Sequence, residues 1–233
     1  MQHIMASRLY AVIFDLDGVL ADSEPWWNHI DAKLLAQYGV TYRGEYHRNV
    51  LGVNYRLAVE FYKNAFHIPA SVEELMRRRG EVATDFFAKH VGLFPSAKTT
   101  LEQVREMNLP LAVATSSLSA SARPLLDRTG IRSFFSVVIT GDEVERGKPD
   151  PDIYLRTADE LGISAEACLV IEDSLAGIAA AKAANMRVAA IPDRRFVDPR
   201  EYQKEGDYVL GSLSEIPDLI RQLNATATEE HAF

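Results

Sequence analysis

Cysteine is almost missing from this sequence of 233 residues. The single cysteine, Cys168, lies inside the apolar run ACLVIE, so the chain has no disulfide framework. A lone cysteine in such a run is typical of a small buried apolar residue, and we assign it no chemical role.

Excess positive charge and long apolar runs are missing as well. Lysine and arginine number 25 against 33 acidic residues, which gives a net charge of −8. This sign argues against nucleic acid or an anionic membrane as a partner. No stretch approaches the roughly 20 apolar residues needed to span a bilayer, and the N-terminus lacks a signal-peptide apolar segment. We therefore expect a cytoplasmic protein.

Short apolar runs without polar alternation are present, and they predict strands buried on both faces. Helical patterns separate these runs, one ending at Gly130 and another starting at Pro151 and ending at Gly162. Alternating strands and helices predict an α/β fold with a doubly wound parallel sheet. The predicted strands cover residues 10–14, 110–115, 135–140, 168–172 and, more weakly, 187–192.

Residues 22–94 interrupt this alternation because they contain helical patterns and no convincing strand. Helices are predicted over 25–38, about 54–67 and 71–90, the last starting at Ser71 with Glu74 three residues later. We interpret this segment as an all-α helical insertion, called the insertion below. Residues 1–21 and 95–233 then form the α/β core, with junctions near 20–23 and 92–95.

Polar residues directly follow the main predicted strands. Because ligands bind at the carboxyl ends of strands in open α/β sheets, these residues are candidates for one shared site. They are Asp15 and Asp17 after the first strand, Thr115, Ser116 and Ser117 after the second, Lys148 beyond the third, and Glu172 and Asp173 after the fourth.

Four carboxylates at one sheet edge would repel one another strongly unless a cation balances them. Oxygen ligands without a nearby histidine or thiol favour Mg²⁺ over Zn²⁺. A magnesium ion held by few carboxylates keeps positions open for a phosphate oxygen. Lys148, the Thr115 hydroxyl and backbone N–H groups near Gly18 and Ser116 would supply further phosphate donors.

The stretches FDLDGVLADSE, AVATSS, GKPDP and VIEDSLAG resemble, in order and spacing, the four motifs of the haloacid dehalogenase superfamily. The likeness extends over the whole core. The insertion after the first motif is similar to the helical cap of the β-phosphoglucomutase and sugar-phosphate phosphatase branch.

This resemblance implies a role for each motif residue. Asp15 would be the nucleophile that forms an aspartyl-phosphate, and Asp17 the general acid and then the general base. Thr115, Ser116 and Lys148 would bind the transferring phosphoryl group. The implied Mg²⁺ ligands are Asp15, Asp17 through its backbone carbonyl, Glu172 and Asp173.

Two enzyme activities remain open at this stage. The phosphoglucomutases resembled here carry a histidine in the first cap helix and a basic pair around the cap-loop glycine, where this chain has Trp27, and Leu51 and Tyr55 around Gly52. The stretch DSEPWW instead resembles the hexose-phosphate phosphatases. We therefore expect a Mg²⁺-dependent phosphatase of small phosphate monoesters, in particular sugar phosphates, because a mutase needs cationic groups in the cap for the second phosphate. A β-phosphoglucomutase-type mutase is the alternative. Candidate substrate contacts in the insertion are Glu24, Trp27, Gly52, Asn54 and Arg56.

A third hypothesis belongs to another class: a non-catalytic binding protein on the same fold. The complete motif set argues against it, since Asp15, Asp17 and Asp173 are all present. The expected partner is a small phosphorylated metabolite, and the sequence demands no assembly beyond a monomer.

Overall fold

Six parallel strands form one sheet in the order β3-β2-β1-β4-β5-β6. The structure, a computed structural model, describes residues 8–230 without the side chains of residues 47, 48 and 227–230; the N-terminal stretch considered for a signal segment lies outside this range. The predicted doubly wound parallel sheet is confirmed. The strands are β1 (Ala11–Phe14), β2 (Leu111–Ala114), β3 (Phe135–Ile139), β4 (Cys168–Glu172), β5 (Arg187–Ala190) and β6 (Tyr208–Val209).

The strand β6 is absent from the sequence predictions. It has two residues and pairs with β5 alone, so its apolar pattern is too short to identify. A C-terminal helix is also unpredicted, although Ile216, Leu219, Ile220 and Leu223 have helical spacing. The helices are α1 (Glu24–Ala36), α2 (Tyr55–Ala65), α3 (Val72–Lys89), α4 (Ala97–Arg105), α5 (Ser119–Arg128), α6 (Asp152–Leu161), α7 (Leu175–Ala183) and α8 (Ile216–Glu230).

Strand β1 is apolar at every position because both faces of the sheet are covered. Val12 and Phe14 pack in one layer with residues of α4, α5 and α8, whereas Ala11 and Ile13 pack in the other with residues of α6 and α7. Burial of a side chain such as Phe14 stabilises the fold by about 1.5–3 kcal/mol. The strand is thereby held firmly, and its carboxyl end leads directly into Asp15.

The insertion contains α1, α2 and α3 and has an apolar cluster of its own, which includes Leu34, Val59, Tyr62 and Leu75. The Ser71 Oγ accepts a hydrogen bond from the Glu74 N–H at 3.1 Å and so caps α3 at the predicted start. The chain enters and leaves the insertion side by side, with the Asp22 N–H donating to the Gly92 carbonyl at 2.9 Å. The division into two domains stays a prediction that these contacts support.

No helix within residues 8–230 is both long and apolar enough to cross a membrane.

Cys168 is expected to be unreactive in the folded protein. It is fully buried on β4, and burial raises the pKa of its thiol to about 11. The native protein at pH 8 should therefore not react with a thiol-specific disulfide reagent, whereas the chain unfolded in guanidinium should release one equivalent of the reporter thiolate. Rapid reaction of the native protein would contradict this burial.

Candidate active site

The carboxyl ends of β1, β2 and β4 surround one small cavity, and the insertion forms its other wall. The space within it is about 50 Å³. Its walls include the predicted residues Asp15, Asp17, Ser116, Lys148 and Asp173 from the core, and Glu24, Trp27 and Gly52 from the insertion.

Lys148 links two carboxylates at the base of the cavity. Its Nζ donates to Asp15 Oδ1 at 2.5 Å, to Glu172 Oε1 at 2.6 Å and to the Ala114 carbonyl at 3.1 Å. Only 1% of Lys148 is exposed, so these three acceptors replace its hydration. Tyr154, which the sequence analysis does not identify, donates its hydroxyl to the same Glu172 oxygen at 2.7 Å.

The charges of this group are strongly coupled. Burial raises the pKa of Asp15 well above its ordinary value, although the Lys148 charge opposes this rise. Burial alone would lower the pKa of Lys148, but Asp15 and Glu172 outweigh it and the net pKa is raised well above normal. For Glu172, burial is outweighed by the Lys148 charge, and the pKa of the carboxyl is lowered. One cation is therefore shared between two carboxylates, and Lys148 remains charged.

Glu172 has both carboxylate oxygens occupied. Besides the bonds to Oε1, its Oε2 accepts from the N–H groups of Asp173 and Ser174 at 3.0 Å and from the Ser174 Oγ at 2.9 Å. A Cβ at Gly177 would lie 1.7 Å from Oε1, so only glycine leaves room for this carboxylate. These contacts indicate that Glu172 holds Lys148 and the Asp173 turn. Its role as a direct metal ligand stays a prediction.

Asp173 is the carboxylate with the least compensation. It is buried, and its side chain accepts no hydrogen bond from any residue within 8–230. Burial raises the pKa of Asp173 well above normal, and the nearby negative charges of Glu24, Glu172 and Asp15 raise it further. The site thus has an excess of buried negative charge on its Asp173 side.

The carboxylate oxygens beside the cavity fit Mg²⁺. Among the described residues, no group of three acidic, histidine or cysteine side chains is spaced as a complete metal site. Magnesium characteristically takes one or two carboxylates and completes its octahedron with water and substrate oxygens. Asp15 and Asp173 supply two such carboxylates beside the cavity.

Asp17 is held by three donors. Its Oδ2 accepts from the Ser117 Oγ at 2.7 Å and the Thr115 Oγ1 at 3.0 Å, and its Oδ1 accepts from the Trp27 Nε1 at 3.0 Å. Thr115 is fully buried and also accepts from the Ser117 N–H, so its hydroxyl hydrogen is directed at Asp17. The predicted binding of phosphate by Thr115 stays a prediction. Ser117, which the sequence analysis places after the second strand without a role, lines the cavity.

Two of the insertion's candidates lie outside the cavity walls. The Asn54 N–H donates to the Lys148 carbonyl at 3.1 Å, and its Oδ1 caps α2 by accepting from the Leu57 N–H. Arg56 is about half exposed and pairs with Glu73 at 3.3 Å and Glu60 at 3.6 Å. Asn54 therefore contacts the loop of Lys148, whereas Arg56 belongs to a surface ion-pair group. Their roles as substrate contacts stay predictions.

Sequence reasoning missed an ion pair in the cavity wall. Arg79 on α3 donates to the two Asp31 oxygens at 2.6 and 3.1 Å, and both residues are buried. Burial alone would lower the pKa of Arg79, but Asp31 outweighs it and the net direction is upward. A signal exists in the sequence, because Arg79 shares the i, i+4 face of Leu75 and Ala83, which are both buried.

Comparison with known proteins identifies the family. The haloacid dehalogenase-like hydrolase family model matches residues 12–191, so the chain belongs to this family. The predicted family is confirmed.

Two similar proteins and one similar solved structure indicate the class of enzyme. A phosphorylated carbohydrates phosphatase of Thermotoga maritima is 36% identical over 76% of this chain and 82% of its own length. Hexitol phosphatase B of Escherichia coli is 29% identical over 90% of this chain and 95% of its own. The crystal structure of CbbY from Rhodobacter sphaeroides with phosphate matches with a TM-score of 0.78 and 26% identity, over 89% of this chain and 96% of that one. The protein is a phosphoric monoester hydrolase, as predicted.

Proposed function

We propose that this protein hydrolyses monophosphate esters of small uncharged polyols, such as sugars and sugar alcohols, through an aspartyl-phosphate on Asp15. The observation that carries the proposal is the placement of Asp15. Its buried carboxylate contacts Lys148 at 2.5 Å, and the independently held Asp17 faces the same cavity. A nucleophile and a proton-transferring group thus lie on one loop.

The two half-reactions need Asp17 in different protonation states: its carboxyl group is protonated at the start of the first and ionised at the start of the second. In the first, an Asp15 oxygen forms a bond to phosphorus while the ester P–O bond breaks, and Asp17 gives its proton to the leaving oxygen. In the second, water attacks phosphorus, Asp17 takes a proton from that water, and the bond between phosphorus and Asp15 breaks. The products are an alcohol and inorganic phosphate, and both carboxyl groups return to their starting states.

Asp15, Asp173 and the Asp17 carbonyl would hold the Mg²⁺ ion. When bound, the ion would offset negative charge on the phosphoryl oxygens. Lys148 supplies a buried positive charge for the same oxygens, and Ser116 supplies a hydroxyl at the cavity wall.

The charges of the insertion support an uncharged leaving group. The charged residues that it contributes to the cavity wall are Glu24, Asp31 and Arg79, and the guanidinium of Arg79 already pairs with Asp31. Two further cations of the insertion, Arg43 and Arg56, are exposed and pair with glutamates. A bisphosphate, which a mutase must bind, would meet a wall with a net negative charge. The phosphatase is therefore favoured over the mutase.

The insertion must move to admit a sugar phosphate. A space of about 50 Å³ has room for only a few water molecules, which is less than a sugar phosphate needs. Docked as in this structure, the insertion would exclude bulk water from the acyl phosphate, and its displacement would release the product.

The test is phosphate release by the purified protein with Mg²⁺, over hexose, hexitol, pentose, triose and nucleoside monophosphates and two sugar bisphosphates. We expect release from hexose or hexitol monophosphates, slower release from the bisphosphates, and reversible loss of activity with a chelator. Glucose 1-phosphate with a bisphosphate primer is included to detect isomerisation. Isomerisation without net phosphate release would contradict the hydrolase, and activity that persists without metal would contradict the Mg²⁺ site.

Gly52→Ala is expected to disturb the docking of the insertion. Gly52 has φ +67°, and an added Cβ would lie 2.0 Å from the Ser174 Oγ. That hydroxyl cannot move freely, because it bonds Glu172 and accepts from the Gly177 N–H. Since small misplacements at reacting groups are costly, kcat/KM should fall by up to about a hundredfold.

Gly39→Ala is the matched control. Gly39 also lies in the insertion and has φ +73°, but nothing lies within 4 Å of its added Cβ. Both variants should lose about 1–2 kcal/mol of stability from left-handed strain. Only Gly52→Ala should lose activity, and equal kinetics for the two variants would refute the docking contact.

A further inference from the structure

A second cavity lies where the core and the insertion join, and we call it the junction cavity. The space within it is about 400 Å³, against about 50 Å³ in the active site. Its walls are the turn at Gly18 and Val19, the segment from Phe94 to Ser96, and the loops that follow β5 and β6. Among the described residues, none lines both cavities, so the two are separate sites.

The size and the walls of the junction cavity suit a small molecule. Cavities that bind small molecules measure roughly 300–1,000 Å³ and combine apolar walls with a few polar groups. Half of the wall here consists of large apolar side chains and prolines, which offer a sugar no hydrogen bonds. They are Val19, Phe94, Pro95, Ile191, Pro192 and Leu213.

One positive charge at the junction cavity has no partner. The Arg194 guanidinium is exposed and makes no hydrogen bond or ion pair with any residue that the structure describes. An added Cβ at Gly211 would lie 3.9 Å from Arg194 Nη2, so the guanidinium reaches across to the loop after β6. The Asp193 carboxylate in the same wall is occupied, because the Arg195 Nε and Nη2 donate to it at 3.0 and 2.6 Å. Arg194 is therefore the charge that the cavity offers to a ligand.

A hydroxyl of the same walls is also available. Ser96 precedes α4, but its side chain does not cap the helix and makes no hydrogen bond with a described residue. A hydroxyl can donate to a carboxylate oxygen, so Ser96 adds a second polar group for an anionic ligand.

We propose that the junction cavity binds a small amphipathic monoanion, with its apolar body against the cavity walls and a single carboxylate on Arg194. One unpaired cation matches one negative charge, and the planar guanidinium pairs with a carboxylate through two N–H groups. A sugar phosphate does not fit this description, because its dianion would share one cation and its hydroxyls would face apolar side chains. The site therefore takes a different class of ligand from the substrate.

Two contacts connect the junction cavity to the active site. Gly18 lines the junction cavity, and an added Cβ there would lie 1.9 Å from Asp173 Oδ2, so its backbone packs directly on that carboxylate. The Phe94 N–H donates to the Leu20 carbonyl at 2.9 Å and so ties together the two chain crossings between core and insertion. A ligand that contacts both crossings stabilises the docked insertion. Occupancy should therefore slow turnover, an effect that rests on the proposed function and its moving insertion.

Displacement of 1-anilinonaphthalene-8-sulfonate tests the site without substrate. This probe has an aromatic body and one negative charge, and its fluorescence rises in apolar surroundings. One equivalent should bind to the folded protein, and octanoate should displace it. The uncharged octan-1-ol has the same chain length, and it should bind about tenfold more weakly because it lacks the charge that Arg194 meets.

Two variants separate the charge from the apolar walls. Arg194→Gln should weaken the binding of octanoate about tenfold and leave that of octan-1-ol unchanged. Ser96→Phe fills the cavity without breaking a side-chain hydrogen bond, and it should weaken both ligands about tenfold or more. Arg200→Gln is the matched control, since Arg200 is exposed, pairs with Asp198 and lies outside the walls. Equal binding of octanoate by wild type and Arg194→Gln, or unchanged binding by Ser96→Phe, would overturn the proposal.

Hydrolysis in the presence of octanoate tests the effect on turnover. Saturating octanoate should lower kcat for the best hexose or hexitol phosphate by about threefold or more in the wild type. At the same concentration it should leave the kcat of Ser96→Phe unchanged. Octanoate that binds without changing the wild-type kcat would refute the effect on turnover. Absent phosphate release by the wild type would refute the proposed function, whereas the displacement experiment decides on the site by itself.

Discussion

Asp15→Asn is expected to lower the turnover of any phosphate monoester by at least about a thousandfold, because the amide oxygen is a poor nucleophile. The fold should persist. Asparagine has the shape of aspartate, and Lys148 keeps its contact with Glu172 at 2.6 Å, so no buried charge is left without a partner. The measurement is phosphate release under single-turnover conditions, with circular dichroism to follow the fold.

The matched control is Asp127→Asn, the same change at an exposed position of α5. It should hydrolyse substrate at the wild-type rate. Trapping a radioactive phosphoryl group from labelled substrate adds a direct test, since the wild type should be labelled and Asp15→Asn should not. Residual turnover near the wild-type value would show that Asp15 is not the nucleophile.

Lys148→Met is expected to damage both activity and stability. Methionine fills a similar volume, but Asp15 and Glu172 would then share a buried site without the cation that contacts both at 2.5 and 2.6 Å. Removal of one partner of a buried ionic group commonly costs about 3–5 kcal/mol. Turnover should fall by about a hundredfold or more, because the phosphoryl oxygens lose their buried positive charge.

The pH dependence follows from the raised pKa of Lys148. A cation with a raised pKa contributes stability that is fully present below its unfolded pKa and is lost as the pH rises through the folded pKa. Lys148 therefore stays charged from about pH 6 to 9, and its own titration should not change the difference in free energy of unfolding between wild type and variant in this range. Chemical denaturation in the presence of chelator measures it.

Lys182→Met provides the control for Lys148→Met. Lys182 also pairs with an aspartate, Asp207, but its side chain is 39% exposed. Such surface pairs contribute less than about 1 kcal/mol. If the two variants lost equal stability, the buried position of Lys148 would not be the cause of its effect.

Local pattern was sufficient to predict the core of the site. Strands β1 and β2 are apolar throughout, and β4 is apolar up to its last residue, Glu172, because both sheet faces are covered; each leads directly into polar residues. Parallel strands have their carboxyl ends at one edge, so Asp15, Ser116 and Asp173 had to meet there. The family motifs carried the same information.

The roles of individual oxygens could not be predicted in this way. Glu172 and Asp173 are adjacent in the sequence and equally acidic, yet Glu172 is occupied by Lys148, Tyr154 and Ser174 while Asp173 remains open to the cavity. Tyr154 comes from α6, whose distance from β4 is decided by packing across the sheet. Hydrogen bonds of this kind depend on contacts between elements that the sequence does not encode locally.

The sequence by itself determined strands β1 to β5, the helices of the insertion and the residues at the strand ends, since each depends on short-range pattern. Only the tertiary structure decided what the insertion brings to the site. Arg77, Arg78 and Arg79 are consecutive arginines, yet the first two pair with surface glutamates and only Arg79 turns inward to Asp31. The rotation of α3 and the docking of α1 over the core select Arg79 and Trp27 for the cavity, because both depend on long-range packing of the insertion.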